Sequence, residues 1–311
     1  DIPAKGTIVD TISMSFETPG YQHLSIQISD YPVQFDDTFY VSFNVERTFK
    51  VLHVIDKNKL GLERSFKSSS QLELTAVGVS QLDYAKINEY DLIVVDELIE
   101  MSSGLQSTLD AYLEEGGNLF FIPKPDLLSQ STISFLAAYQ IRLNGWDTTK
   151  REVGRVNTES YIFSDVFENA SANFYLPGTS GSYAISAERA NESVMMYRNG
   201  MDYLSAFEVG LGNLFVLSAP LRTDFNSLTD NPSIFVPMVY KMASSSNEHR
   251  ETAYTIGTDD LIKIRLDAEA IDLDGVFALA NDNTEFIPAQ QFSSGQLELN
   301  VYGQVKQAGT Y

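Results

Sequence analysis

Phe49-Lys-Val-Leu-His-Val-Ile-Asp56, Tyr90-Asp-Leu-Ile-Val-Val95 and Asn118-Leu-Phe-Phe-Ile-Pro123 are three short apolar runs in a chain of 311 residues. Each is of strand length and rich in β-branched and aromatic residues, the pattern of strands buried on both faces. Amphipathic stretches lie between them. The clearest covers residues 102–115, where Leu105, Leu109, Tyr112 and Leu113 share one helical face and Gly116-Gly117 supplies the stop. A short helix is expected near 60–68, a second strand at Leu72, Leu74 and Ala76, and a helical turn over Asp83–Asn88. Strands alternating with helices predict a doubly wound α/β domain on a parallel sheet with right-handed crossovers.

Outward from this block the pattern turns to β. Before it, Leu24, Ile26 and Ile28 alternate with polar neighbours, as do Phe39, Val41, Phe43 and Val45, and Ile8, Ile12, Met14 and Phe16 alternate more loosely. Residues 1–47 therefore read as a β-rich, partial immunoglobulin-like segment. After it, strand-like runs occur at Val153–Ser164, Tyr183–Ile185, Ser193–Arg198 and Asn213–Ser218. Asn199-Gly200 predicts a hairpin, and Gly210-Leu211-Gly212 a second tight turn. Ser233–Met242 reads as a helix with Pro237 near its first turns, and the polar cluster Ser244–Arg250 as a linker. Leu261–Leu266, Val276–Ala280 and Leu297–Val301 alternate again. The expected organisation is thus a β-segment over 1–47, an α/β domain over 48–245 and a small β-domain over 250–311. The start at Asp1 and the stop at Tyr311, within a strand pattern, lead to the expectation of a piece of a longer protein.

Composition narrows the function classes. A net charge of −21 disfavours nucleic acid and anionic membrane surfaces as direct partners, since both require clustered Lys and Arg. With no Cys, thiolate nucleophiles, disulfides and Cys-based metal sites are excluded. The three His, at 23, 53 and 249, are far apart in sequence. No apolar run reaches the roughly 18 residues of a membrane span.

In an open α/β sheet, ligands bind beyond the carboxyl ends of the strands. The residues there are Asp56, then Asp96 and Glu97, then Lys124 and Asp126. Asp56, Asp96 and Glu97 are candidate oxygen ligands for a divalent cation, with solvated loops or helix caps as the alternative. Asp272-Leu-Asp274-Gly275 and Thr258-Asp259-Asp260 read as acidic turns rather than calcium loops. Gly210-x-Gly212 lacks the following helix of a dinucleotide loop, and Gly116-Gly117 has the reverse order of elements. No G-x-S-x-G occurs, and His53, inside an apolar strand, reads as a packed residue. Aromatic residues, Trp146 among them, fall mostly at alternating strand positions, so packing is their default role. Asn169-Ala-Ser171 and Asn191-Glu-Ser193 match the glycosylation pattern, which matters in a eukaryotic source.

Two stretches carry a likeness to a family. One is Ile28-Ser-Asp30-Tyr31-Pro32-Val33-Gln-Phe35-Asp36-Asp37-Thr-Phe39-Tyr40, followed by the strand from Phe49. The other is Gly210-Leu-Gly212-Asn-Leu-Phe215-Val216-Leu-Ser218-Ala-Pro220-Leu221, with residues 232–242 downstream. Together they resemble the extracytoplasmic part of bacterial membrane proteins with a BatA-like, aerotolerance-type anchor domain. The resemblance implies a β-rich segment and a class I glutamine amidotransferase-like (flavodoxin-like) α/β domain. It also implies a place on the periplasmic side of the inner membrane, held by segments outside this chain. True glutaminases carry a Cys nucleophile on a sharp strand-to-helix turn. Here the comparable turn after Ile122 reads Pro123-Lys124-Pro125-Asp126.

The expected function is a non-catalytic envelope region, without a cofactor, that mediates interaction with other envelope or membrane proteins or gives structural support. The alternatives are a ligand-binding or metal-dependent hydrolytic domain using the strand-end carboxylates, and a carbohydrate-binding module.

Overall fold

In a computed structural model of the chain, the described residues are 7–9, 14, 16, 18, 20–28, 37–45, 48–56, 71–163, 175–245, 253–265, 275–281, 284–293 and 296–311. The expected helix near 60–68, the Asp272–Asp274 turn and most of the 244–250 linker lie outside them. The chain separates into two units, one of Asp1–Arg47 with Glu251–Tyr311 and one of Thr48–Arg250.

The first unit is β-structure. β1 (Gly20–Gln27) pairs antiparallel with β2 (Thr38–Val45), in the register Leu24↔Val41. Ile8, Met14 and Phe16, expected to belong to a strand, are outside strands and exposed. The C-terminal strands of this unit are given below in chain order.

The second unit begins with β3 (Phe49–Ile55), β4 (Leu72–Gly78) and β5 (Leu92–Asp96), with a 3-10 turn over Tyr84–Glu89 capped by the Asp83 carboxylate. α1 (Ser103–Glu114), β6 (Asn118–Ile122), α2 (Gln130–Ala138), β7 (Ile141–Asp147), β8 (Arg151–Val156) and β9 (Gly178–Thr179) follow. Then come β10 (Ser182–Ala187), β11 (Glu192–Tyr197), β12 (Asp202–Val209), β13 (Gly212–Leu217) and α3 (Pro232–Ser244). In the first unit, β14 (Leu261–Arg265), β17 (Ala289–Ser293) and β18 (Gln296–Asn300) make a three-stranded sheet, and β15 (Leu279–Ala280) pairs with β16 (Glu285–Phe286).

The central sheet of the second unit has nine strands, in the order β4-β3-β5-β6-β13-β12-β11-β8-β9. From β4 to β13 every pairing is parallel. From β13 to β9 every pairing is antiparallel. The unit is therefore a mixed α/β structure, and the expectation of a parallel sheet corrects to a mixed one. The reason is local. Asn199-Gly200 and Gly210-Leu211 are turns too short for a crossover, so β11, β12 and β13 must fold back on one another. β7 and β10 form a separate antiparallel pair.

Side chains of the parallel strands alternate strictly between two cores. Phe49, Val51, Leu92, Val94, Phe120, Ile122, Phe215 and Leu217 face one side, with Phe235, Met238 and Met242 of α3. Leu52, Val54, Ile93, Val95, Leu119, Phe121, Leu214 and Val216 face the other, with Leu105, Leu109 and Leu113 of α1 and Phe135 of α2. Continuous apolar runs are what a sheet covered on both faces requires. Each of the larger of these side chains contributes about 1.5–3 kcal/mol on burial.

Candidate functional site

The parallel order β4-β3-β5-β6 makes the chain leave β3 in one direction for β4 and return on its other side for β5. This reversal is the topological switch point of an open α/β sheet, where side chains beyond the strand ends converge. Asp56 follows β3, Asp96 ends β5 with Glu97 just beyond it, and Pro123–Asp126 follow β6.

The first buried pair sits just below this edge. His53, fully buried, has its Nε2 3.0 Å from Oδ2 of Asp96, itself only 5% exposed. His53 and Asp96 share one sheet face because β3 and β5 are parallel with His53 opposite Val94. Their other polar atoms, Nδ1 of His53 and Oδ1 of Asp96, have no hydrogen-bond partner among the described residues. A histidine enclosed this way cannot reach a substrate, so its placement agrees with the packed role expected from the sequence.

Glu97 adopts a left-handed backbone conformation, φ 49°, and its N–H donates to the Ile122 carbonyl of β6. That conformation is uncommon for a side chain of this size. It buries the Glu97 carboxylate, whose Oε1 lies 3.6 Å from Nε of Arg222. Glu97 follows β5 and Arg222 follows β13, and β6 lies between those strands, so the ion pair reaches across the end of β6. Arg222 also stands 3.4 Å from Asp224 and stacks over Phe225. Phe225 meets Trp146 edge-on, and Trp146 packs on Tyr183 at 5.0 Å. The Tyr183 hydroxyl donates to the Lys124 carbonyl at 2.9 Å. Burial, and secondarily the charge of Asp126, push the Tyr183 phenol up to about 12. Pro123 and Pro125 are buried and Asp126 is exposed with φ 68°.

The three candidate metal ligands thus turn to three different partners. Asp56 accepts from the Ile99 N–H, Asp96 holds His53, and Glu97 faces Arg222. Among the described residues no three His, Asp or Glu side chains form a group able to hold a metal. Successive loops carry these carboxylates, but in the structure each is drawn to its own partner, a backbone N–H, His53 or Arg222.

On the α1 and α2 side of the same edge lies an open cleft of about 700 Å³. The loops after four of the parallel strands contribute to it: Asp56 after β3, Ser80 and Tyr84 after β4, Glu100 and Ser102 after β5, Gln130 after β6. The Ser102 and Ser129 hydroxyls cap α1 and α2 by accepting from the N–H groups of Leu105 and Thr132. Ser131 Oγ accepts from the N–H of Met101 and ties the two loops together.

Sequence reasoning missed Arg222, Tyr183 and the cleft residues Ser80, Tyr84 and Glu100. Arg222 was within reach: residues 213–218 read as a strand, and the strand-end rule applied there leads to the segment that carries it. Tyr183 belongs to a separate two-stranded sheet, which nothing in the local pattern places over the end of β6.

No family model matches the chain, and no curated protein matches it. Among solved structures it is similar to the N-terminal domain of mmIFT52, with 12% identity, a TM-score of 0.45 and coverage of 63% of this chain and 97% of that one. It is also similar to the cytoplasmic protein STM1381 from Salmonella typhimurium LT2, with 11% identity, a TM-score of 0.45 and coverage of 71% and 95%. A β-galactosidase from Rahnella sp. R3 gives 12% identity, a TM-score of 0.46 and coverage of 62% of this chain and 31% of that one.

Proposed function

We propose that this chain is a non-catalytic recognition and support region of a membrane-anchored bacterial envelope protein, facing the periplasm. Its α/β unit is a flavodoxin-like domain of the class I glutamine amidotransferase type, extended by antiparallel strands. Its β-rich unit is part of an immunoglobulin-like module. The anchor belongs to a longer parent of the BatA-like kind, and the partners are other envelope or membrane proteins.

The observation that carries this reading is the closure of the β6 end. That turn is where a glutaminase places its nucleophile. Here it holds buried Pro123 and Pro125, is bridged by Glu97 and Arg222, and is sealed by the Tyr183 hydroxyl on the Lys124 carbonyl. Polar groups engaged with one another in this way stabilise a loop and leave no side chain poised for attack. The charge of −21 favours selective contact with complementary, basic protein surfaces.

Crosslinking of the full-length parent in living cells tests the reading. The expected result is a small, reproducible set of envelope proteins, weakened by added salt. Recovery of cytoplasmic proteins alone, or a glutaminase activity in the purified chain, would overturn it.

A further inference from the structure

We propose that Asn144-Gly145 is a site of spontaneous modification: in the folded protein Asn144 deamidates to isoaspartate, ahead of the same reaction at Asn199-Gly200, and the change displaces Trp146. The proposal stands on these two pairs and does not depend on the envelope reading.

Asn-Gly is the pair most open to this chemistry, because glycine has no side chain to shield its backbone nitrogen. The sequence has two such pairs, at 144 and 199. In both, the two residues are exposed. Each glycine has a positive φ, 53° at Gly145 and 84° at Gly200, with open space where a Cβ would stand. In the reaction the glycine nitrogen gives its proton to water and bonds to Cγ of the asparagine. The Cγ–Nδ2 bond breaks, and ammonia leaves with a proton taken from water. Water then opens the succinimide ring at either carbonyl, giving aspartate or isoaspartate.

The surroundings separate the two pairs. At the hairpin, the Gly200 N–H donates to the Tyr197 carbonyl at 2.9 Å, so the attacking nitrogen is held away from Cγ. Oδ1 of Asn199 accepts from the Met201 N–H at 3.1 Å, and its Nδ2 donates to Met201 Sδ at 3.2 Å. Nucleophile and carboxamide are thus both tied, in a loop joining two interior strands of the nine-stranded sheet. At Asn144 the side chain has one hydrogen bond among the described residues, from Nδ2 to Ser186 Oγ at 2.7 Å. Gly145 stands in a bulge. The register passes from Asn144↔Ala184 to Asp147↔Ser182, so Tyr183 faces both Gly145 and Trp146. A bulge interrupts the ladder and leaves its extra residue unpaired. β7 and β10 also form a sheet of their own, where local opening to the attacking geometry costs less than inside a large sheet.

The same bulge places Trp146, the only tryptophan, at 5.0 Å from Tyr183 and edge-on to Phe225. Isoaspartate routes the main chain through the former side chain and adds a methylene just before this ring. The ring then leaves its packing and meets water.

Incubation of the whole chain at mildly alkaline pH, followed by tryptic mapping, tests this, because peptides 143–150 and 199–222 carry the two sites separately. A parallel sample in urea gives the reactivity of each pair without the fold. Both pairs are expected to react at similar rates in urea. In the folded chain Asn144 should react about tenfold or more faster than Asn199, equivalent to about 1.4 kcal/mol of barrier. Trp146 emission should move to longer wavelength as isoaspartate accumulates, and should stay in place in Asn144→Asp, which has the new charge on an ordinary main chain. The order of reaction is overturned if Asn199 reacts as fast as Asn144 in the folded chain, or if Asn144 stays intact while the urea sample reacts. The effect on Trp146 is overturned if isoaspartate leaves the emission unmoved, or if Asn144→Asp moves it equally.

Discussion

At the residue scale, the chemistry-bearing groups of the sheet edge are arranged as closed pairs, and closed pairs behave asymmetrically on mutation. Asp96→Ala leaves His53 enclosed with neither ring nitrogen satisfied, which costs about 1–3 kcal/mol in urea unfolding. Replacing both partners by Leu should cost less than the single change, because the unpaired polar atoms go with them. A loss no larger than that of an exposed carboxylate would show that the pair does not contribute. Tyr183 gives a pH signature. Its phenol titrates near 12 when folded, above its ordinary value of 10, so the folded state holds a proton that the unfolded chain releases earlier. The stability it contributes is complete below pH about 10 and fades as pH rises toward 12. Ultraviolet difference titration of wild type against Tyr183→Phe should show one phenol ionising late; its ordinary titration would contradict the buried bond to Lys124.

At the element scale, two turns meet back to back. Gly116-Gly117 ends α1, and Gly210-Leu211-Gly212 joins β12 to β13. A Cβ on Gly212 would lie 2.0 Å from the Gly117 carbonyl oxygen, which no side-chain adjustment relieves. Gly212→Ala should therefore destabilise the second unit by about 1–3 kcal/mol, measured by chemical unfolding, whereas Gly200→Ala meets open space and suffers only the strain of its φ of 84°. The asymmetry between the two glycines is the test. These turns were legible because glycine pairs and Asn-Gly act locally, as were β3, β5 and β6 from their apolar runs. α2 was not, because its sequence QSTISFLAA is short and hydroxyl-rich, and its N-cap Ser129 is one serine among several. The place of β13 beside β6 was not legible either: Asn213 and Asn118 pair across 95 residues, and no local period encodes that register.

For the whole molecule, the charge of −21 sets the response to salt. Self-repulsion of an acidic surface is screened within about 10 Å at 0.1 M salt. The melting temperature should rise as salt is added over the first few tenths molar, and a falling one would mean that favourable ion pairs outweigh the repulsion. The alternation of strands and helices anticipated an α/β unit on a parallel sheet, but the sheet's change from parallel to antiparallel depends on where a distant hairpin docks. The candidate site divided the same way. Positions at strand ends were readable, but partners were not, since Glu97 meets Arg222 only after β5, β6 and the much later β13 have been ordered side by side.

The neighbour of β6 on one side is β13, made some 90 residues later. A chain emerging from a ribosome therefore completes β3 to β6 and then waits. Until the β12–β13 hairpin arrives, the apolar strand Asn118–Ile122 presents an open edge, a template for pairing with the wrong chain. Chains stalled or truncated before Gly212 should collect in aggregates or on chaperones rather than as a smaller soluble fold, and pulse-labelled synthesis should show protease resistance appearing only after β13 has cleared the exit tunnel. The strand in the middle of the sheet is thus the last part of it to be supplied.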